Sequence, residues 1–332
     1  MMVAWIDQIM KNPRRVAMPI MTHPGIEYIG KHVVDAVTNG EVHFEAIKAV
    51  VEKYDMAACT VIMDLTVEAE AFGCQIEFPE DDMPHVVNRL VCDEASVQAL
   101  QVPDLTQGRV PEYLKANQLA VAYFKDRPVI AGCIGPYSLA GRLYDMSEIM
   151  MAIYIEPDTI RQLLEKCTAF ILAYCRELKR IGVTGVMIAE PAAGLLSDED
   201  CQAYSSVYVK QIVDALQDDD FTIILHNCGN SGQCTQAMIQ TDAAALHFGN
   251  AIDMQSVLDV CPADRLVMGN LDPVGVLKQA TPEVVYEKTL ELLQQTASHR
   301  NYVLSSGCDM PPGIPEANIR AFYKALQAFN QE

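Results

Sequence analysis

The chain has 332 residues, half of them apolar and a fifth charged, with a formal charge of −20 and eleven cysteines. This suits a globular chain with a large core. The acidic balance argues against nucleic acid, which needs a basic footprint, and against a polyanionic small substrate unless arginines cluster locally. No apolar run reaches the roughly 20 residues of a membrane span. Charges interrupt "MMVAWIDQIMKNPRRVAMPI", leaving no apolar signal-peptide core, so a cytoplasmic protein without membrane contact is expected. In that compartment the cysteines are expected to be small buried hydrophobes rather than disulfides.

In chain order, short apolar runs predict strands at 16–20 ("VAMPI"), 58–64 ("ACTVIMD"), 128–134, 185–190, 221–226 ("FTIILH"), 244–249 ("AALHFG"), 265–270 and 301–306. Between the second and third lies a long, partly helical excursion, residues 66–127. The period of Ile160, Leu163, Leu164, Cys167 and Phe170 predicts a helix over 157–182, stopped by Gly182. Ser197 and Thr281–Pro282 open two further helices. Eight strands with intervening helices predict a single-domain α/β fold over 1–332, a (β/α)8 TIM barrel. The rival, a doubly wound sheet, would need a Gly-rich phosphate turn, and neither GxGxxG nor GxxxxGK[ST] occurs.

A barrel places chemistry at the carboxyl ends of its strands. There stand His23, Asp64, Tyr137, Glu190, His226 with Cys228, His247, Asn270 with Asp272, and Cys308. Side chains alternate along a strand, so His226 and Cys228 can point the same way. Cys308, between Gly307 and a proline-rich loop, ends the last strand beside the same mouth. One imidazole and two thiolates suit Zn²⁺ with a fourth position left for substrate. An isolated His-x-Cys reads equally as a buried histidine and a core cysteine; the third donor is what makes a site. Cys234 is expected in the core at the start of the next helix, and the other eight cysteines have no paired spacing.

"GPYSLAG" (135–141), "AGLLSDED" (193–200), "MGNLDP" (268–273) and "GCDMPPGIPEANIRAF" (307–322), in this order, resemble the signature segments of the uroporphyrinogen decarboxylase superfamily. The resemblance covers nearly the whole chain. It departs from true decarboxylases in three places. "MPIMTHPGIEYIG" lacks the expected arginines, Arg142 stands where a tyrosine is expected, and Cys308 replaces a histidine. Asp64 matches the decarboxylases' essential aspartate. "LHNCGN" with "SSGCDMPP" is instead similar to the zinc-dependent methylcobamide:coenzyme M methyltransferases. That implies His226, Cys228 and Cys308 as zinc ligands. Cobalamin-independent methionine synthases add a glutamate ligand, which "ALHFGNAID" does not offer.

The resemblance implies a zinc-held thiolate that takes a methyl group from a methyl-corrinoid such as methylcobalamin and releases Co(I). No corrinoid-binding DxHxxG segment is present, so a separate corrinoid protein is the expected partner. Coenzyme M, tetrahydrofolate and other thiols all stay open as the small-molecule acceptor. Glu190 is expected to act as a temporary ligand, to orient His226, or to bind the acceptor; it also reads as a rim carboxylate beside Pro191. Asp64 is expected behind the metal ligands or in the pocket and, with Glu190, is a candidate catalytic residue. Tyr137, His247 and Met310 are the residues expected to face the corrinoid, although His247 also reads as a hydrogen-bonded core residue. The alternatives are a decarboxylase-like enzyme and a non-catalytic corrinoid- or tetrapyrrole-binding relative.

Overall fold

The computed structural model describes residues 4–331; residues 1–3 and 332 of the expected 1–332 domain lie outside the described residues. Among the described residues nine strands occur in chain order: β1 (Cys59–Thr60), β2 (Ile76–Glu77), β3 (His85–Val86), β4 (Val129–Ile134), β5 (Gly185–Ala189), β6 (Thr222–Asn227), β7 (Ala245–Phe248), β8 (Leu266–Leu271) and β9 (Tyr302–Ser306). Seven form one curled sheet in the order β1-β4-β5-β6-β7-β8-β9, and every neighbouring pair is parallel. Parallel neighbours require crossovers, which helices supply. The longest, Pro157–Ile181, ends as its sequence predicts, on Gly182 in the left-handed region at φ 101°.

Two predicted strands are much shorter than expected, for identifiable reasons. In the 16–20 segment only Ala17 pairs, with Leu304. Met18 N donates to Leu304 O and Ala57 N to Ala17 O, so the segment hydrogen-bonds to both ends of the sheet. Pro19 has no N–H to continue the ladder, and Ile20 N turns to the Ser306 hydroxyl instead. The 58–64 strand stops after Thr60 because the Ile62 N–H is taken by the His43 ring at 3.1 Å. The helix opened by Ser197, whose hydroxyl accepts from Asp200 N, runs through a π-helical stretch at Gln202–Ser206 before Val207–Leu216. Residues 66–127 carry three helices, Val67–Phe72, Glu94–Ala99 and Val110–Tyr123, and the antiparallel β2–β3 pair. Among the described residues no helix is long and apolar enough to cross a membrane.

The apolar core has two parts. The larger lies between the sheet and the outer helices. The smaller fills the inside of the curl with one or two residues per strand: Ile130, Met187, Ile224, Ala245, Leu266, Met268 and Val303, with Trp5 among them. Trp5 Nε1 donates to Thr222 Oγ1 at 2.8 Å, near the start of β6. This inner layer sets the direction of every side chain that follows at a spacing of two. One step beyond Ile224 is His226, and the next is Cys228. One step beyond Ala245 is His247, and beyond Val303 is Ser305. The inward stripe changes from apolar to polar at the carboxyl ends.

Candidate metal centre

At that end the structure brings together the ligand atoms of His226, Cys228 and Cys308, all within 4.8 Å of one another. His226 is in β6, Cys228 in the turn after it, and Cys308 in the loop after β9. Two strands separate β6 from β9 in the sheet, so only the curl makes these residues neighbours. The Cys228 turn is held from below by β7. A Cβ at Gly249 would come within 2.5 Å of the Cys228 carbonyl oxygen, so only glycine fits there.

His226 is aimed by a buried chain of hydrogen bonds whose direction can be worked out. The Ser305 hydroxyl donates to the Met18 carbonyl at 2.8 Å. Having one proton, it must accept in its 2.9 Å contact with His247 Nε2. Burial, and then His226, push His247 well below its ordinary pKa, so its ring is neutral. With the proton on Nε2, its bare Nδ1 accepts from His226 Nδ1 at 2.8 Å. In its neutral form His226 then keeps Nε2 unprotonated, 4.0 Å from the Cys308 sulfur. This tautomer is the one a metal requires.

The two thiols conflict with each other. Contact with Cys308 lowers the Cys228 pKa against burial, whereas contact with Cys228, reinforced by burial, raises that of Cys308. The pair gives up its first proton readily and holds the second, because two thiolates repel in a half-buried place. A cation between them removes that conflict. One neutral imidazole with two sulfurs is a soft donor set that fits Zn²⁺.

The triad opens into a cavity of about 210 Å³. Its walls include Met63, Met83 and Pro84 together with Asp64 and Arg142. Asp64 therefore does reach the cavity, but its oxygens are engaged. Oδ1 accepts from Thr66 N and Oγ1 at 2.9 and 2.7 Å, while Oδ2 accepts from Arg109 and, at 3.4 Å, from Tyr113. Arg109 also donates to Glu70 and Thr66. A carboxylate so paired is fixed in place.

Glu190 does not line the cavity. Its carboxyl accepts from Tyr137 N at 2.9 Å and from Ser138 N and Oγ at 2.8 and 2.7 Å, at the start of helix Pro136–Tyr144. Burial raises its pKa and these donors oppose the rise. A Cβ at Gly135 would collide with this carboxyl. The geometry makes Glu190 a clamp between β5 and that helix rather than a metal neighbour. Tyr137 and Met310 are fully buried and stand outside the cavity wall, as does His247, which lies behind His226. Asn270 braces loops through Gly249 O and Ile252 O. Sequence reasoning missed Arg109 and Ser305. Nothing in the sequence ties Arg109, 45 residues away, to Asp64. Ser305 was visible in principle, as the inward position two residues beyond Val303.

Comparison with known proteins matches the profile of uroporphyrinogen decarboxylase (URO-D) to residues 6–329. A methylcobamide:CoM methyltransferase MtbA of Methanosarcina acetivorans is 31% identical over 285 residues, 82% of this chain and 80% of that relative. A uroporphyrinogen decarboxylase of Legionella pneumophila is 24% identical, covering 92% of this chain and 88% of the relative. Among solved structures, a methyltransferase from Methanosarcina mazei superposes with a TM-score of 0.87 at 21% identity, covering 98% of this chain and 97% of the other, a likeness of fold.

Proposed function

The chain belongs to the uroporphyrinogen decarboxylase family, and within it we propose a corrinoid-dependent methyltransferase that carries zinc. The methyl donor is a methyl-corrinoid on a separate protein, and the acceptor is a small thiol such as coenzyme M. The observation that carries this reading is the gathering of His226 Nε2 and two cysteine sulfurs within 4.8 Å at a cavity. The relatives named for transfer from methylcobamide to CoM support the donor and the acceptor class.

Bound there, zinc would lower the pKa of an acceptor thiol and keep it as a nucleophilic thiolate. The residues of the chain supply the rest. Cys228 and Cys308 place two negative sulfurs, so the site carries no net positive charge and suits alkyl transfer. His247 and Ser305 hold His226 with Nε2 free. The methionines and Pro84 exclude water around the acceptor. Asp64, locked to Arg109, shapes the wall. Tetrahydrofolate as acceptor stays a weaker reading: a cavity of about 210 Å³ lies below the ~300–1,000 Å³ of pockets for drug-sized ligands.

The reading includes a single cytoplasmic domain over 1–332. It is a closed eight-stranded barrel, with residues 16–18 as the first strand and residues 66–127 extending the rim. The corrinoid protein docks over that rim.

The test is loss of methylcobalamin absorbance with coenzyme M, homocysteine and tetrahydrofolate as acceptors, alongside metal analysis of Cys308→Ala. Expected are about one zinc per chain, a thiol-dependent spectral change, and at least roughly a hundred-fold loss of both zinc affinity and rate in the variant. Full zinc in Cys308→Ala would end the metal assignment. Bound corrinoid without transfer to any acceptor would make this a binding protein.

A further inference from the structure

Arg142 is in the last turn of helix Pro136–Tyr144 and shares the cavity wall with the His226–Cys228–Cys308 corner. Among the described residues its guanidinium has no hydrogen bond and no ion pair. Asp64 acts on it through its field, opposing the loss of charge that burial favours. Yet Asp64 is already engaged by Arg109, Thr66 and Tyr113. The remaining carboxyl on the wall, Asp309, accepts from Thr22 N at 2.9 Å. A half-buried arginine, with five N–H donors to offer, therefore lines a mainly apolar cavity without a hydrogen-bond partner among the described residues.

Leaving a guanidinium this way is costly unless an anion arrives to meet it. Behind the same wall the fold has matched another arginine: Arg109 holds two carboxylates. A chain of net charge −20 also repels small anions in general, so selecting one requires a local cation inside the site.

We propose that Arg142 is the subsite for an acidic group on the methyl acceptor, which is therefore a short thiol ending in a sulfonate, carboxylate or similar anion. This rests on the thiol-acceptor reading above. The acceptor's sulfur reaches the cysteine–histidine corner while its anion takes the fork of Arg142 donors. The cavity volume limits the spacer between them to a few atoms. Neutral thiols satisfy one end of the site, and cationic thiols meet repulsion.

Titration calorimetry without corrinoid tests this. 2-Mercaptoethanesulfonate, 2-mercaptoethanol and cysteamine are titrated into the zinc-loaded protein and into Arg142→Met and Arg142→Lys. The sulfonate should bind about ten- to a hundred-fold more tightly than the neutral thiol, and cysteamine the least. Arg142→Met should erase that preference by weakening the sulfonate alone. Arg142→Lys, which keeps the charge but not the fork, should retain part of it. Zinc content and circular dichroism matching the wild type establish that each variant is folded, and Arg142→Lys serves by itself if Arg142→Met is not. Equal affinities in the wild type, or a full preference surviving in a folded variant, overturn the proposal. Anion selectivity without methyl transfer would defeat the functional reading and leave this subsite standing. Transfer without selectivity would do the reverse.

Discussion

Two corners of one cavity handle buried polarity in opposite ways. At the β6–β9 corner, His226 Nε2 and the sulfurs of Cys228 and Cys308 contact one another and, among the described residues, bond to nothing outside the group, while the protein's hydrogen bonds stand behind them. At the Asp64 corner both carboxylate oxygens are engaged, and Arg109 donates to four different partners. Buried polar groups are normally satisfied, so a saturated cluster reads as architecture. An unsatisfied one reads as a place for something from outside. By this criterion Asp64 and Glu190 belong to the frame, and the triad and Arg142 to the site.

The contrast can be broken by substitution. Asp64→Asn should be the most damaging, because it leaves Arg109 buried with half its counter-charge. A loss of about 3–5 kcal/mol in denaturant unfolding is expected, with zinc affinity of the folded fraction unchanged. A large drop in zinc affinity instead would place Asp64 in the metal centre.

Next is His247→Phe, which removes the acceptor that fixes the His226 tautomer. Zinc affinity measured against a chelator should fall about ten- to a hundred-fold, corresponding to roughly 1.4–2.8 kcal/mol. Ser305→Ala should move it the same way by less. If His247→Phe binds zinc as the wild type does, the buried chain is only packing.

The smallest effect sharpens the comparison at its exception, Glu68, beside Asp64. Its Oε1 accepts from Ile134 N at 3.1 Å while Oε2 has no partner among the described residues. Burial raises its pKa to about 8. The folded state thus binds this proton more tightly than the unfolded chain. The stabilisation is complete below the unfolded value near 4.5 and is lost as pH rises toward about 8. Glu68→Gln should remove that slope and stabilise the protein at pH 8 by roughly 1–3 kcal/mol. An unchanged slope would mean Glu68 is ionised when folded.

Much of the site was legible in the sequence, unevenly. His226 and Cys228 could be selected because a strand's period of two and a run of apolar residues imply which way the next polar side chain points; Cys308, out of phase with Val303 and Ser305, was marked by its place at a strand end and by the family resemblance. Glu190 and Tyr137 stand at a strand end and a helix start as read, yet they bond each other through carboxyl and backbone N–H instead of facing the cavity. Position along the chain indicated the end of the sheet; it did not indicate whether a polar group already had a partner there. The strands at 16–20 and 58–64 were overextended for the same reason, since the competing partners, Ser306 and His43, come from elsewhere.

The sequence by itself determined what depends on short-range periodicity: the parallel strands, the crossover helix ending at Gly182, and the inward stripe that carries His226 and Cys228. Only the tertiary structure decided which of those donors are free. The curl brings Cys308 to His226 across 82 residues, ties Asp64 to Arg109, and leaves Arg142 without a partner among the described residues. Hydrogen bonds and ion pairs are satisfied in space, between residues whose distance along the chain carries no information about whether they meet.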